Sequence, residues 1–373
     1  MDFLFNGFQS VQWEQAVMWL IGAVLIYLAI AKKLEPALLL PIGFGAIIVN
    51  IPFSAVTSSE TSVGILDWLF NVGIAMSEAM PLILFIGIGA MIDFGPLLEN
   101  PKLFMFGAFA QSGIFLTIII ASAMGFDLKD ACSIGIIGAA DGPTSIYVAN
   151  ILGSNYFAPI MVVAYSYMAL VPIIQPAVIK CLTTKNERKI RMSYSGSKVS
   201  KRTKILFPII ITLIAGLFAP MSVALVGCLM FGNLIRECGV LDNLAETAQK
   251  TLTNLITLLL GITIASQMKA ANFVNVQTLM IMALGLMAFI LDTAVGVIAG
   301  KVYNIFAKTK INPMIGAAGI SAFPMSARVV QKLGLEADSS NHLLMFSVGC
   351  NVSGQVASAI AGGIILSLAP ALI

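Results

Sequence analysis

The chain has 373 residues, of which 58% are hydrophobic and only 10% charged, with a formal net charge of +3. Soluble domains carry about 25% charged residues, so a mean hydropathy of +0.96 places most of this surface in lipid. The small positive balance excludes nucleic-acid binding, and five cysteines without CxxC spacing exclude a disulfide frame or a thiolate metal site.

A spanning helix needs about 20 mostly apolar residues. In chain order, spans are predicted near 15–31, 36–51, 80–98, 102–124, 155–179, 205–219, 221–236, 253–268, 277–300 and 342–367. The first follows Glu14 and has neither a basic n-region nor a small-residue cleavage site, so no cleavable signal is expected. Two stretches, near 131–152 and 313–334, are apolar yet crowded with Gly, Pro, Ser and Asp. They read as hairpins that enter the membrane and return, because non-helical backbone at that depth must be buried in protein or line a wet cavity. The sole histidine, His342, reads as an exposed loop residue.

Lysine and arginine in short loops set orientation. The basic stretch 180–204 holds Lys180, Lys185, Arg188, Lys189, Arg191, Lys198, Lys201, Arg202 and Lys204 against Glu187 alone, and is expected in the cytoplasm. Lys32, Lys33, Lys102 and Lys301 agree with the same threading. The N-terminus then lies outside, the first hairpin enters from outside and the second from the cytoplasm.

The chain also repeats itself. Pro36-Ala-Leu-Leu-Leu-Pro-Ile-Gly parallels Pro220-Met-Ser-Val-Ala-Leu-Val-Gly, and Gly64-Ile-Leu-Asp-Trp-Leu parallels Gly239-Val-Leu-Asp-Asn-Leu. Further matches run through Pro81 and Asn254, through the Gly138 and Gly316 hairpins, and through the polar-interrupted spans at Ala164 and Val348. The expected fold is therefore an all-α polytopic membrane protein with two inverted structural repeats, re-entrant hairpins and broken helices. Residues 1–35 form an N-terminal transmembrane helix, 36–179 the first repeat, 180–204 a basic linker and 205–373 the second repeat. Inverted repeats with Gly/Pro-broken segments at matching places point to a transport site.

Asp141 has apolar sequence on both sides and is followed by Gly142 and Pro143, which free backbone carbonyls. A carboxylate at mid-membrane costs about 2.5–3.5 kcal/mol, so with Thr144 and Ser145 it offers hard oxygen ligands for a small cation. The alternative is a cap for the half-helix at Pro143, and one residue can serve both roles. Ser321 holds the matching place in the second hairpin, which carries no acid there. Asn351 is an amide in mid-span, and Tyr167 corresponds to it in the first copy, either functional or simply packed. Arg328 is either a receptor for a carboxylate or a snorkelling helix-end cation. Asp292 is a second buried acid that shapes the cavity rather than a ligand, and Asp67, Asp93 and Asp242 read as structural.

Gly138-Ala-Ala-Asp-Gly-Pro-Thr-Ser-Ile-Tyr, Ala164-Tyr-Ser-Tyr-Met-Ala, the run from Asn312 to Arg328 and Asn351-Val-Ser-Gly together resemble the beta subunit of the biotin-dependent sodium-pumping decarboxylases. The resemblance spans nearly the whole chain, without departure at these positions. It implies a scaffold-plus-core fold, sodium at Asp141 and Asn351, and a second cation or proton site at Ser321. Tyr167 would exchange protons, Asn312 and Gly316 would flank that second site, and Arg328 would meet carboxybiotin. Carboxybiotin would come from a partner, with no covalent cofactor on this chain. The implied partners are a carboxyltransferase subunit, a biotin carrier subunit and a small membrane-anchor subunit, in a homo-oligomeric complex of the bacterial inner membrane. Among the three substrates of the family, compact size and the lack of a long extra loop favour methylmalonyl-CoA over glutaconyl-CoA and oxaloacetate. Two other readings stay open: a sodium-coupled carboxylate carrier of inverted-repeat type, which Arg328 and its motif argue against, and a structural anchor for a soluble complex.

Overall fold

The computed structural model describes residues 7–59, 62–193, 199–273 and 275–372. Lys198 of the basic stretch lies outside them. Every regular element among the described residues is helical. Seven helices are long and apolar enough to span a membrane, or eight if Ile65–Ala75 and Ala79–Met91, bent by 66° at their junction, form one span. The chain is a multi-pass membrane protein.

The first helix, α1 (Trp13–Ala31), packs on α2 (Pro36–Val49) through facing glycines. A Cβ on Gly22 would stand 2.6 Å from the Gly43 carbonyl oxygen, so the backbones meet directly, as small residues permit between membrane helices. At 14 residues α2 is shorter than the predicted span, with Pro36 opening it. The bent pair is α3 (Ile65–Phe70, continued by a π-turn over Asn71–Ala75) and α4 (Ala79–Met91). Its bend is held by Asn150, whose amide donates to the Ala75 carbonyl and to Glu78. The predicted span 80–98 ends early because Asp93 turns the chain, accepting from the Gly95 amide at 2.8 Å and pairing with Lys204 at 3.1 Å. The span predicted at 102–124 divides at Gln111 into α5 (Phe104–Ala110) and α6 (Ser112–Ala123).

The first hairpin is α7 (Leu128–Gly135), a 3-10 turn over Ile136–Ala139 and α8 (Gly142–Ile151). Its mouth is fastened by Asp130, which accepts from Ser154 Oγ at 2.8 Å, the Asn155 amide at 2.9 Å and Asn155 Nδ2 at 3.0 Å. Then come α9 (Phe157–Leu182), α10 (Lys201–Phe218), α11 (Val223–Cys238), α12 (Asp242–Thr247), α13 (Thr253–Ala265) and α14 (Val276–Phe306). The second hairpin is α15 (Met314–Ala317), an unwound stretch through Pro324 and α16 (Met325–Ala337). Helix α17 (Leu344–Leu372) closes the chain. His342 is exposed in a loop, as expected.

The packing is reciprocal. Helix α2 lies on α13 while α11 lies on α4, and α9 lies on α14 while α17 lies on α5. Likewise α1 pairs with α2 as α10 pairs with α11. Each pairing matches another one half-chain away, so the halves interlock rather than stand side by side.

The α4–α11 crossing is the tightest of these. A Cβ on Gly89 would overlap the Leu229 carbonyl, and one on Gly232 would overlap that of Ile86. Overpacking costs about 1–3 kcal/mol, occasionally more. Gly232→Ala should therefore lose about 2–3 kcal/mol, read as an earlier thermal transition in detergent. Gly227→Ala, on the same helix with no neighbour nearer than 3.9 Å, should be neutral. Equal transitions for the two variants would contradict the close backbone crossing.

Candidate cation site at the crossing of two broken segments

Both hairpins lose helical conformation in mid-course, and the breaks touch. In the first, Ala140 takes a left-handed conformation with φ of 53° and Asp141 is extended at the N-cap of α8, with Pro143 fixing the first turn. In the second, backbone from Gly319 to Pro324 is unwound and the Phe323–Pro324 bond is cis. The Ser321 amide donates to the Ala139 carbonyl at 2.9 Å, joining break to break.

Buried backbone groups need partners, and side chains from three helices supply them here. Gln175 Nε2 donates to the Ala317 carbonyl at 2.8 Å, and Gln111 Nε2 to that of Gly319 at 3.2 Å. Asn351 Nδ2 donates to the Ile320 carbonyl at 2.7 Å, and Gln355 to that of Ser321. In return Ser321 Oγ donates to the Gly354 carbonyl at 3.0 Å. The break is held open by directed bonds.

Asp141 is 3% exposed, and its Oδ2 accepts from Thr144 Oγ1 at 2.6 Å and from Ser358 Oγ at 3.4 Å. Asn351, Gln355 and Ser358 form one stripe of α17, spaced by four and three residues. The stripe runs from the second break to the Asp141 carboxylate. Asp141 and Asn351 share no direct hydrogen bond; Ser358 lies two turns from Asn351, roughly 10 Å along the axis. Ser321 lies between, bonded to α17 and to the first hairpin.

Five side-chain oxygens in this region are buried without a hydrogen-bond partner: Gln111 Oε1, Gln175 Oε1, Asn351 Oδ1, Gln355 Oε1 and Tyr165 Oη. Tyr165 packs its ring on Gly142, where a Cβ would overlap it, directly beside Asp141. An unsatisfied buried acceptor costs about 1–3 kcal/mol, so a row of them leading from the second break toward one carboxylate suits a ligand that takes oxygen donors. A small hard cation is such a ligand.

The other candidates lie elsewhere. Tyr167 faces α14, its hydroxyl donating to the Met282 carbonyl at 2.5 Å. The tyrosine beside Asp141 is Tyr165, and Tyr165, Gln111, Gln175, Gln355 and Ser358 are polar groups that sequence reading missed. Asn312 is fully buried at the far end of the second hairpin, where its Nδ2 donates to the Arg188 and Ile190 carbonyls at 3.0 and 2.9 Å. It anchors the basic stretch. Gly316 meets Gly296, where a Cβ would overlap the Gly296 carbonyl, so it serves a close crossing of α15 and α14.

Arg328 is exposed on α16 and lines a cavity of about 450 Å3 with Lys33, Glu35, Lys180, Lys332 and Glu336. Burial pushes the Glu35 carboxyl up, with Arg328 pulling against it. Nearby, the Ser340 amide and then Arg191 hold the Asp338 carboxyl below its usual range, and Arg191 Nη2 lies 2.6 Å from it. The cavity thus joins a guanidinium and lysines on the face that carries the basic stretch, a fit for a carboxylate ligand.

The family described as Na+-transporting oxaloacetate decarboxylase beta subunit matches residues 14–369. The chain is 46% identical to methylmalonyl-CoA decarboxylase subunit beta of Propionigenium modestum, over 385 aligned residues and 97% of each chain. It is 46% identical to glutaconyl-CoA decarboxylase subunit beta of Acidaminococcus fermentans, over 363 aligned residues, 97% of this chain and 95% of that one. Against oxaloacetate decarboxylase beta chain of Klebsiella pneumoniae the identity is 44% over 410 aligned residues and 94% of each.

Proposed function

The chain belongs to the beta-subunit family of the Na+-transporting oxaloacetate decarboxylases, and on that premise we propose that it decarboxylates carboxybiotin and couples the reaction to sodium export, as part of a methylmalonyl-CoA decarboxylase. The observation that carries this reading is the cluster at the crossing, where the Asp141 carboxylate and five unpartnered oxygens share one buried region. Sodium is the cargo there, with Asp141, Ser321 and Asn351 as ligands. The shorter alignments and slightly higher identity with the CoA-ester relatives favour a CoA ester over oxaloacetate.

Carboxybiotin supplies a carboxyl group whose loss as carbon dioxide takes up one proton. Arg328, with Lys33 and Lys332, draws that carboxylate to the basic face and orients it. Glu35 offsets the guanidinium until the carboxylate arrives. Asp141 neutralises the sodium charge in mid-membrane, while the hydrogen bonds from Gln111, Gln175 and Asn351 hold the unwound backbone in one arrangement. Tyr167 serves proton exchange, and Asn312 and Gly316 fix the second hairpin that carries Ser321. An exported charge costs about 2.3 kcal/mol per 100 mV, so the site must open to one face at a time. Breaks from two hairpins meeting at one point suit such alternation.

The same reading takes the halves as inverted copies about a pseudo-twofold axis. The matching of α1–α2 with α10–α11 supports including the N-terminal helix in the first copy, opposite α10. The complex sits in the bacterial inner membrane as a homo-oligomer, with carboxyltransferase, biotin carrier and small membrane-anchor subunits.

Purification with native partners tests the reading. A biotinylated subunit should co-purify, and methylmalonyl-CoA should release carbon dioxide only when sodium is present. A chain that moves a carboxylate with sodium and needs no biotin protein would instead be a carrier.

A further inference from the structure

Asp292 has no place in that scheme, yet its setting is unusual. It lies midway along α14, fully buried, and neither carboxyl oxygen makes a hydrogen bond. The amides of Ile114 and Gly113, at the start of α6, turn toward it without closing hydrogen-bond geometry. Its seat is made by two glycines. A Cβ on Gly113 would overlap Oδ1, and a Cβ on Gly138 would stand 2.6 Å from Oδ2. Two hydroxyls near the seat are also buried without partners: Thr293, the next residue, and Thr117, one turn beyond Gly113.

No cationic side chain enters the seat. On the elements packed against α14, the titratable groups are Lys129, Asp130 and Cys132 on α7 and Tyr165, Tyr167, Lys180 and Cys181 on α9, with Asp141 three residues past Gly138. Tyr165 lies on Gly142, and Lys180 pairs with Glu336 at the far end of α9. Asp141 is turned to Thr144 and Ser358, Asp130 to Ser154 and Asn155, and Tyr167 to Met282. An ionised carboxylate left bare in such surroundings costs several kcal/mol. One positive charge removes that cost, and a proton does so without the further oxygen ligands a metal cation needs.

We infer that Asp292 is a proton-binding site distinct from the Asp141 cluster, and that it carries a proton whenever the turn at Gly138 is seated against it. The coupling follows from the contacts. Gly138 belongs to the 3-10 turn that leads into Asp141, so a charged Asp292 favours withdrawal of that turn toward water and a protonated one favours its return. Proton occupancy on α14 and the position of the first hairpin are thus linked, and by reciprocity each biases the other.

The test is infrared difference spectroscopy on the full-length chain in lipid, independent of decarboxylation and therefore of the function proposed above. A carboxylic-acid C=O band that shifts in deuterated water should be present in the wild type and in Asp141→Asn, and lost in Asp292→Asn. Asparagine matches the size and neutrality of the protonated acid, so that variant should keep its fold. Gly138→Ala, which crowds the seat, should shift or remove the same band. Persistence of the band in Asp292→Asn, or its absence from the wild type, would overturn the assignment. So would a loss of bound sodium in Asp292→Asn, which would make the seat a sodium site instead.

Discussion

Changing Asp141 to asparagine should lower sodium affinity by at least about 100-fold and leave sodium-dependent carbon dioxide release undetectable at concentrations that saturate the wild type. The carboxylate is 3% exposed and held by two hydroxyls, with no cationic side chain among its partners. Sodium would be its counter-charge. Removing one partner of a buried charge pair costs about 3–5 kcal/mol, and about 1.4 kcal/mol is tenfold in affinity. Asparagine keeps the shape and can still accept from Thr144, so the loss reports charge rather than packing. Asp141→Glu restores charge but must fit a longer side chain beside the Tyr165 ring, and should recover only part of the activity. Sodium titration of the purified complex measures both. Wild-type sodium dependence in the asparagine variant would end the assignment of Asp141 as the cargo ligand.

The parts of this site that stood out in the sequence are those where polarity defies its surroundings. Asp141, Ser321 and Asn351 each interrupt an apolar run, and such groups persist in a membrane only when buried against partners. Gly142-Pro143 and Phe323-Pro324 announced the breaks, since proline and glycine end helices for local reasons. What could not be read was rotation. Tyr165 and Tyr167 stand two residues apart on α9, about 200° around a helix of 3.6 residues per turn, and either could face the hairpin. Contacts with α14 and Gly142, both remote in sequence, decide that Tyr165 does. Gln355 and Ser358 were a visible stripe with Asn351 at helical spacing, a signal available and not used. The division at Gln111 had no local mark, since neither proline nor glycine stands there; its amide bonds the Gly107 carbonyl as well as that of Gly319 in the second hairpin. Asn312 likewise bonds carbonyls of the basic stretch more than 100 residues earlier, a pairing no periodicity encodes.

Arg328→Ala should separate the two halves of the reaction. Its guanidinium stands on the basic face with Lys33 and Lys332 around a cavity of about 450 Å3, and no hydrogen bond links it to the Asp141 cluster. Bonds from a charged donor contribute about 1.5–3 kcal/mol, so the variant should bind or decarboxylate carboxybiotin roughly 10- to 100-fold less well. Sodium affinity, measured on the same preparation by direct binding, should stay within about twofold. Arg328→Lys keeps the charge but not the paired donors that match a carboxylate, and should recover little. Glu35→Gln should act in the opposite sense. It removes the carboxyl that draws on Arg328, so carboxybiotin should bind a few-fold more tightly, with the gain shrinking as added salt screens the exposed charges. The decisive comparison is the ratio of the two losses. A fall in sodium affinity that tracks the fall in decarboxylation across these variants would mean Arg328 acts through the fold of the second hairpin, not by meeting the substrate carboxylate.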